Sequence, residues 1–235
     1  MPHPTSVLIT GANRGIGLGL TKEYLKLDAV KHIFATARNP TRPRMDVQDV
    51  ASIKAVYEQV SRVVGDSGLN LLINNAGIWT NYVVAAEPDP AALLNILHTN
   101  AASPLIVSQI FLPLIRKSVA NGGEWGAQRG AIINISSGMG SIGENTSGSG
   151  ANHSIAYRMS KAALNQMMKT LAVDLKKEGI LLAAFCPGWV QTDMGGKNAA
   201  TTVDDSAEAL VKTIGSFDEQ HTGGYFRRHG DKIEF

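Results

Sequence analysis

Residues 6–17 read SVLITGANRGIG. The first part, SVLIT (6–10), is a short β-prone run, and TGANRGIG places glycines at 11, 15 and 17 before a helical pattern over 15–27. Too short an apolar run for a helix, then a glycine turn, then a helical stretch reads as strand, turn, helix. Glycines at such a turn let backbone N–H groups approach a pyrophosphate at the helix N-terminus. A plain strand–helix turn would use glycine too, so the neighbouring sequence has to decide.

Working outward, further strands are expected at HIFATA (32–37), LNLLIN (69–74), AIINIS (131–136), ILLAAFC (180–186) and GGYF (223–226). Helical patterns lie between them at 49–64, 91–118, 154–178 and 204–215. The strands are nearly continuously apolar, as in a parallel sheet covered on both faces. The alternation predicts an α/β fold, a Rossmann-type doubly wound parallel sheet, with residues 1–235 forming a single domain. One interval is too short. Between Arg38 and Asp46 only NPTRPRM intervenes, where a helix and a strand are expected, so either the sheet is one strand and helix short or residues are missing there.

Composition narrows the class. The 235 residues carry a net charge of +2 and are 44% hydrophobic, enough for one well-buried core. The longest apolar stretch, PLIVSQIFLPLI, is interrupted by Ser108, Gln109 and Pro113, so no membrane span is expected. The start MPHPTSVLIT lacks the pattern of a secretory signal. One cysteine, Cys186, excludes an intramolecular disulfide and a cysteine-cluster metal site, and a cytoplasmic setting is the default. The histidines show no ligand spacing, so no metal is expected, and Arg227-Arg228-His229 is too short a run to argue for nucleic acid.

Ligands of an open parallel sheet bind beyond the carboxyl ends of its strands. Those ends carry the glycine turn, Ala37-Arg38, Asn74-Asn75-Ala76-Gly77, Ser136-Ser137-Gly138 and Pro187-Gly188. Turns explain the glycines there, but not paired asparagines, paired serines and an arginine on one rim. An acidic residue at the end of the second strand usually selects the unphosphorylated dinucleotide; here that place reads ATARNP. Arg38, and Arg14 inside the glycine turn, suit a 2′-phosphate, so NADP(H) is expected over NAD(H). In the helical stretch SIAYRMSKAALNQMMKTLAVDL (154–175), Leu164, Met168, Leu171 and Leu175 form an apolar stripe. Lys161 and Tyr157 extend that stripe backwards, an unusual place for an ammonium.

Taken together, TGANRGIG (10–17), NNAG (74–77), Asn100 in HTNA, NISS (134–137), YRMSK (157–161) and PGWVQTDM (187–194) resemble the short-chain dehydrogenase/reductase family over nearly the whole chain, and within it sniffer-like carbonyl reductases. The resemblance implies NADPH-dependent reduction of a ketone or aldehyde, a small-molecule carbonyl substrate. It makes Tyr157 the acid/base, and Lys161 the group that lowers its pKa and holds the nicotinamide ribose. Ser137 would bond the substrate carbonyl, and Asn100 would hold a relay water. The implied cofactor contacts are Gly11, Asn13, Arg14, Gly15, Ile16, Gly17, Arg38, Asp46, Val47, Asn74, Ala76, Gly77, Tyr157, Lys161, Pro187, Gly188, Val190 and Thr192. Such proteins often pair through helices equivalent to 91–118 and 154–178, so a homo-oligomer is expected.

Alternatives remain at the level of residues. Ser136 competes with Ser137, although strand alternation turns it the other way. Asn100 could bridge helices, and Cys186 reads as a packed thiol. Ser137 and Tyr157 are unusually far apart, separated by the Gly/Ser-rich stretch 138–154, which is expected to shape substrate access and to be mobile. Two other functions share these motifs: an NAD-dependent alcohol or steroid dehydrogenase, and a catalytically vestigial NADP-responsive binding protein.

Overall fold

The computed structural model describes residues 3–38 and 44–235. Six strands form one parallel sheet: β1 (Ser6–Ile9), β2 (His32–Ala35), β3 (Leu71–Asn74), β4 (Ala131–Ile135), β5 (Leu181–Cys186) and β6 (Gly224–Arg227), in the order β2-β1-β3-β4-β5-β6. All pairings are parallel, with Leu8 beside Phe34 on one side and Leu72 on the other. Each expected strand is present; the first five are shortened by a residue or two, and the last keeps its length but is shifted one residue on.

The helices are α1 (Gly15–Leu25), α2 (Val50–Val64), α3 (Pro90–Leu97), α4 (Ser103–Ala120), α5 (Ile155–Asp174) and α6 (Val203–Ser216). Strand alternation sorts them onto two faces. Leu8, Leu72, Ile132 and Leu182 pack with Ile53 and Val56 of α2, Phe111 of α4 and Met168 of α5. Val7, Ile9, Ile73 and Ala183 face the other way, against Leu20 and Tyr24 of α1 and Leu210 and Ile214 of α6. Local chemistry sets the helix starts: Asp49 caps α2 by accepting from Ala51 N at 2.9 Å, and Ile53, Val56, Val60 and Val64 supply its buried stripe.

Two expectations meet a different geometry. The pattern at 91–118 is not one α-helix, because His98–Ala102 is a π-helical turn between α3 and α4. Pro104 lacks the N–H that would bond the Asn100 carbonyl in an α-helix, and Ser103 N bonds His98 O, five residues back. At the short interval, Ala37 and Arg44 make a lone parallel bridge, and Met45 N donates to Ala37 O at 2.9 Å. Most of NPTRPRM (39–43) lies outside the described residues. Beyond the bridge the chain enters α2 directly, so among the described residues β2 remains the sheet edge. No helix of the described residues is long and apolar enough to cross a membrane.

The chain runs from β1 outward to β2, then back across β1 to β3. A crevice opens where the direction reverses, between the loops after β1 and β3.

Candidate active site

A cavity of about 840 Å³ occupies that crevice. At one end lies the glycine turn. Gly11 and Gly15 have φ of 65° and 51°, values that suit glycine, and they lead directly into the N-terminus of α1. Asn75 clamps the turn, its Nδ2 donating to Thr10 O at 2.9 Å and Gly11 O at 3.0 Å. Gly17 leaves room for that clamp, because a Cβ there would fall on Gly11 O and Asn75 Nδ2.

At the other end lie Tyr157 and Lys161, four residues apart on α5 and facing the same cavity. Lys161 is 4% exposed, and its ammonium donates to Ile135 O at 2.8 Å. Among the described residues no carboxylate partners it. Burial lowers its pKa to about 8, with the nearby Cys186 sulfur acting in the opposite direction. A buried lysine aimed at a cavity, with hydrogen-bonding capacity left over, explains why an ammonium interrupts the apolar stripe: the stripe ends where α5 leaves the core and meets the crevice. Gly77 lies between this lysine and Asn100, since a Cβ there would sit 3.7 Å from Lys161 Nζ and 3.3 Å from Asn100 Oδ1.

Tyr157 departs from the sequence expectation. Burial pushes its phenol well above the usual tyrosine range, and a side-chain hydrogen bond with Ser137 offsets only part of that rise. The Lys161 ammonium sits 5.6 Å from the Tyr157 ring centroid and is engaged by the Ile135 carbonyl. Desolvation sets the direction of the shift, and the phenol stays protonated at neutral pH, the form a proton donor needs. Trp79 lies against the phenol ring, centroids 4.7 Å apart, and its Nε1 donates to Asn81 Oδ1 at 2.7 Å. Ile78, Met139 and Leu93 extend this apolar wall around Tyr157.

The two serines make different contacts, and Ser137 is not among the residues lining the cavity. Ser136 contributes to the cavity lining, but its hydroxyl donates to Asn165 Oδ1 at 2.7 Å. Ser137, at the start of a 3-10 turn (Gly138–Gly140), presents its hydroxyl to Met139 N at 3.3 Å and to the phenol. Ser137→Ala is expected to lower turnover by about 10²-fold or more, as loss of one donor to a developing oxyanion does elsewhere. Ser136→Ala should mainly lower the melting temperature; equal kinetic losses in the two variants would reverse the assignment.

Of the expected cofactor contacts, Gly11, Asn13, Arg14, Gly15, Ile16, Arg38, Asp46, Val47, Ala76, Gly77, Pro187 and Thr192 line the cavity with Tyr157 and Lys161. Asn74, Gly17, Gly188 and Val190 do not. As the last residue of β3, Asn74 keeps the strand alternation and turns towards α4, donating to Ser108 Oγ at 3.1 Å and Asn134 Oδ1 at 3.0 Å. The cavity residue of the pair is Asn75, just past the strand end. Gly188, at φ 90°, makes way for the Arg228 guanidinium, and Val190 is buried in a bridge to Thr201. Arg14 reaches across the cleft mouth to Asp193 at 2.6 Å, an exposed pair.

Asn100 acts as a bridge in this structure. Its Oδ1 accepts from Ile78 N at 2.9 Å, while its Nδ2 donates to Ile78 O at 2.9 Å and to Ser160 Oγ at 3.0 Å, tying the loop after β3 to α5. The stretch 138–154 is tethered at several points: Ser141 Oγ donates to Glu234 O at 2.5 Å, Arg227 pairs with Glu144 at 2.9 Å, and Tyr82 N donates to His153 O at 3.0 Å. Gln48, Gln191, Met194 and Lys197 also line the cavity, and they lie in loops where no general residue code points to a site.

Residues 5–202 match the family described as short chain dehydrogenase. The structure superposes on the carbonyl reductase Sniffer of D. melanogaster with a TM-score of 0.93 and 36% sequence identity, covering 99% of this chain and 100% of that one. It superposes on the NADPH-bound carbonyl reductase from chicken fatty liver with a TM-score of 0.94 and 35% identity, covering 100% and 96%. A short-chain dehydrogenase of Pyricularia oryzae is 32% identical over 263 aligned residues, 98% of each chain. With its glycine turn, its Tyr157–Lys161 pair and its single parallel sheet, the chain belongs to the short-chain dehydrogenase family of oxidoreductases.

Proposed function

We propose that the protein reduces a ketone or aldehyde to the alcohol with NADPH, Tyr157 delivering the proton. The observation that carries this is the placing of Tyr157 and Lys161 at one end of a cavity whose other end is the glycine turn. The residues fit a dinucleotide: positive-φ glycines open the N-terminus of α1 to a pyrophosphate, and Lys161 is a buried cation with donors to spare. Arg14 and Arg38 line the adenosine side, where β2 ends without a carboxylate, which supports NADPH over NADH. The reduced nicotinamide, when bound, supplies the hydride; the chain manages position and proton. Ser137 would hold the carbonyl oxygen beside the phenol. Tyr157 would give up its proton as negative charge develops on that oxygen, and Lys161 would steady the phenolate left behind.

The test is NADPH fluorescence loss across a panel of ketones, aldehydes and quinones, run beside NADH. Consumption with NADPH and little with NADH is expected. A panel without turnover would favour the vestigial binding protein, and tighter binding of NAD⁺ than of NADP⁺ would favour the NAD-dependent dehydrogenase.

A pH dependence follows from the lysine. With a pKa lowered to about 8, Lys161 is charged below that pH and loses its charge as pH rises through it. NADPH should therefore bind more weakly above about pH 8, while the still-protonated Tyr157 contributes no such change there. Titrations from pH 6.5 to 9.5 should show the loss in the native enzyme and a flat profile in Lys161→Met. The same slope in both proteins would assign the titration to another group.

A further inference from the structure

Ser137 belongs to a turn held from three elements. From α5, Asn165 accepts from Ser136 Oγ at 2.7 Å and donates to Gly140 O at 3.3 Å. At the end of β5, Cys186 Sγ accepts from Gly138 N at 3.1 Å. From β6, the Tyr225 hydroxyl donates to the carbonyl oxygen of Ser137, which also accepts from Gly140 N at 2.7 Å. Among the described residues, Tyr225 is the side chain that bonds the backbone of Ser137 itself.

Tyr225 is a fully buried side chain in the core, a place where phenylalanine would fill nearly the same volume. A buried hydroxyl is costly unless partnered, and this one bonds the Ser137 carbonyl, with the Asn165 and Ser136 side chains also within its hydrogen-bonding reach. The Ser137 hydroxyl is linked to that peptide by little more than one rotatable bond. A shift of the turn by a fraction of an ångström would carry the hydroxyl out of the roughly 2.7–3.1 Å range in which a donor stabilises an oxyanion. We propose that Tyr225 is a positioning residue for the reaction: it anchors the Ser137 carbonyl and so sets the serine hydroxyl against Tyr157. This rests on the reading of Ser137 as the group that holds the substrate carbonyl.

The test is a double-mutant cycle in kcat with NADPH and one turned-over carbonyl substrate, using Tyr225→Phe, Ser137→Ala and the pair together. Tyr225→Phe is expected to lower kcat about tenfold, as a misplaced catalytic group does. Its NADPH dissociation constant should stay within about twofold, and its circular dichroism should match the native enzyme. In the Ser137→Ala background the same change should alter kcat by less than about twofold, because the serine through which it acts is gone. Native kcat in Tyr225→Phe, or an equal loss in both backgrounds, overturns the proposal. A Tyr225→Phe chain that fails to fold also overturns it, since the hydroxyl would then hold the fold rather than the serine. Normal turnover in Ser137→Ala removes the underlying reading of the site, and this proposal with it.

Discussion

Tyr157→Phe is expected to lower turnover by about 10²- to 10⁴-fold, the range that a positioned proton donor contributes. The ring is kept, so its packing against Trp79 and Ile96 survives, and only the hydroxyl is lost. Because burial already holds that hydroxyl in its neutral form, the substitution removes no charge from the folded protein at neutral pH. Stability and NADPH affinity should therefore stay close to native, the latter within about threefold (~0.6 kcal/mol). Stopped-flow turnover and a fluorescence titration on the same preparation check both halves. A Tyr157→Phe enzyme of native rate would end the mechanism, whereas a joint loss of binding and stability would make the tyrosine a packing residue.

Gly17→Ala should strike the other end of the cavity. The added methyl would meet Gly11 O, the Asn75 amide at 2.5 Å and Ala12 Cα at 3.0 Å, and two of these contacts are backbone that cannot swing aside. Relief requires the glycine turn to move away from the Asn75 clamp, and the phosphate cradle moves with it. Overpacking of this kind costs about 1–3 kcal/mol, and NADPH affinity is expected to fall at least about tenfold. Gly65→Ala is the control. Its φ is 53°, but a Cβ there meets nothing within 4 Å, and it lies far along the chain at the end of α2. It should lower the melting temperature through backbone strain of about 1–2 kcal/mol while leaving NADPH binding unchanged. Equal effects of the two on binding would show that the clamp does not shape the cradle.

Much of this was legible in residue order. Strand–turn–helix at SVLITGANRGIG, the apolar strands and the four-residue step from Tyr157 to Lys161 are local patterns, and each appears where its pattern put it. The preference for Ser137 over Ser136 as the substrate-facing serine rests on strand alternation, in which successive residues face opposite ways. The same rule, had it been applied to β3, would have separated Asn74 from Asn75. Motif resemblance assigned the contact to Asn74, yet the last strand residue faces α4 and Asn75, the next, reaches the glycine turn. The break in the 91–118 helix was signalled by Pro104, but a proline near a helix start is ordinary, and only the fold shows the Asn100 contacts with Ile78 and Ser160 that accompany the widened turn.

By itself, then, the order of residues determined the doubly wound architecture, the rim on which the cavity opens and the Tyr157–Lys161 pair that faces it. Those depend on backbone periodicity and on side chains a few positions apart, which any short window of sequence contains. Tertiary structure alone decided the burial that raises the Tyr157 pKa and the hydrogen bond from Tyr225 to the Ser137 carbonyl. A pKa depends on how much water the fold removes, and burial is the largest cause of the upward shift at Tyr157. The bond from β6 to the serine turn joins residues 88 positions apart, a distance that only the closed sheet spans.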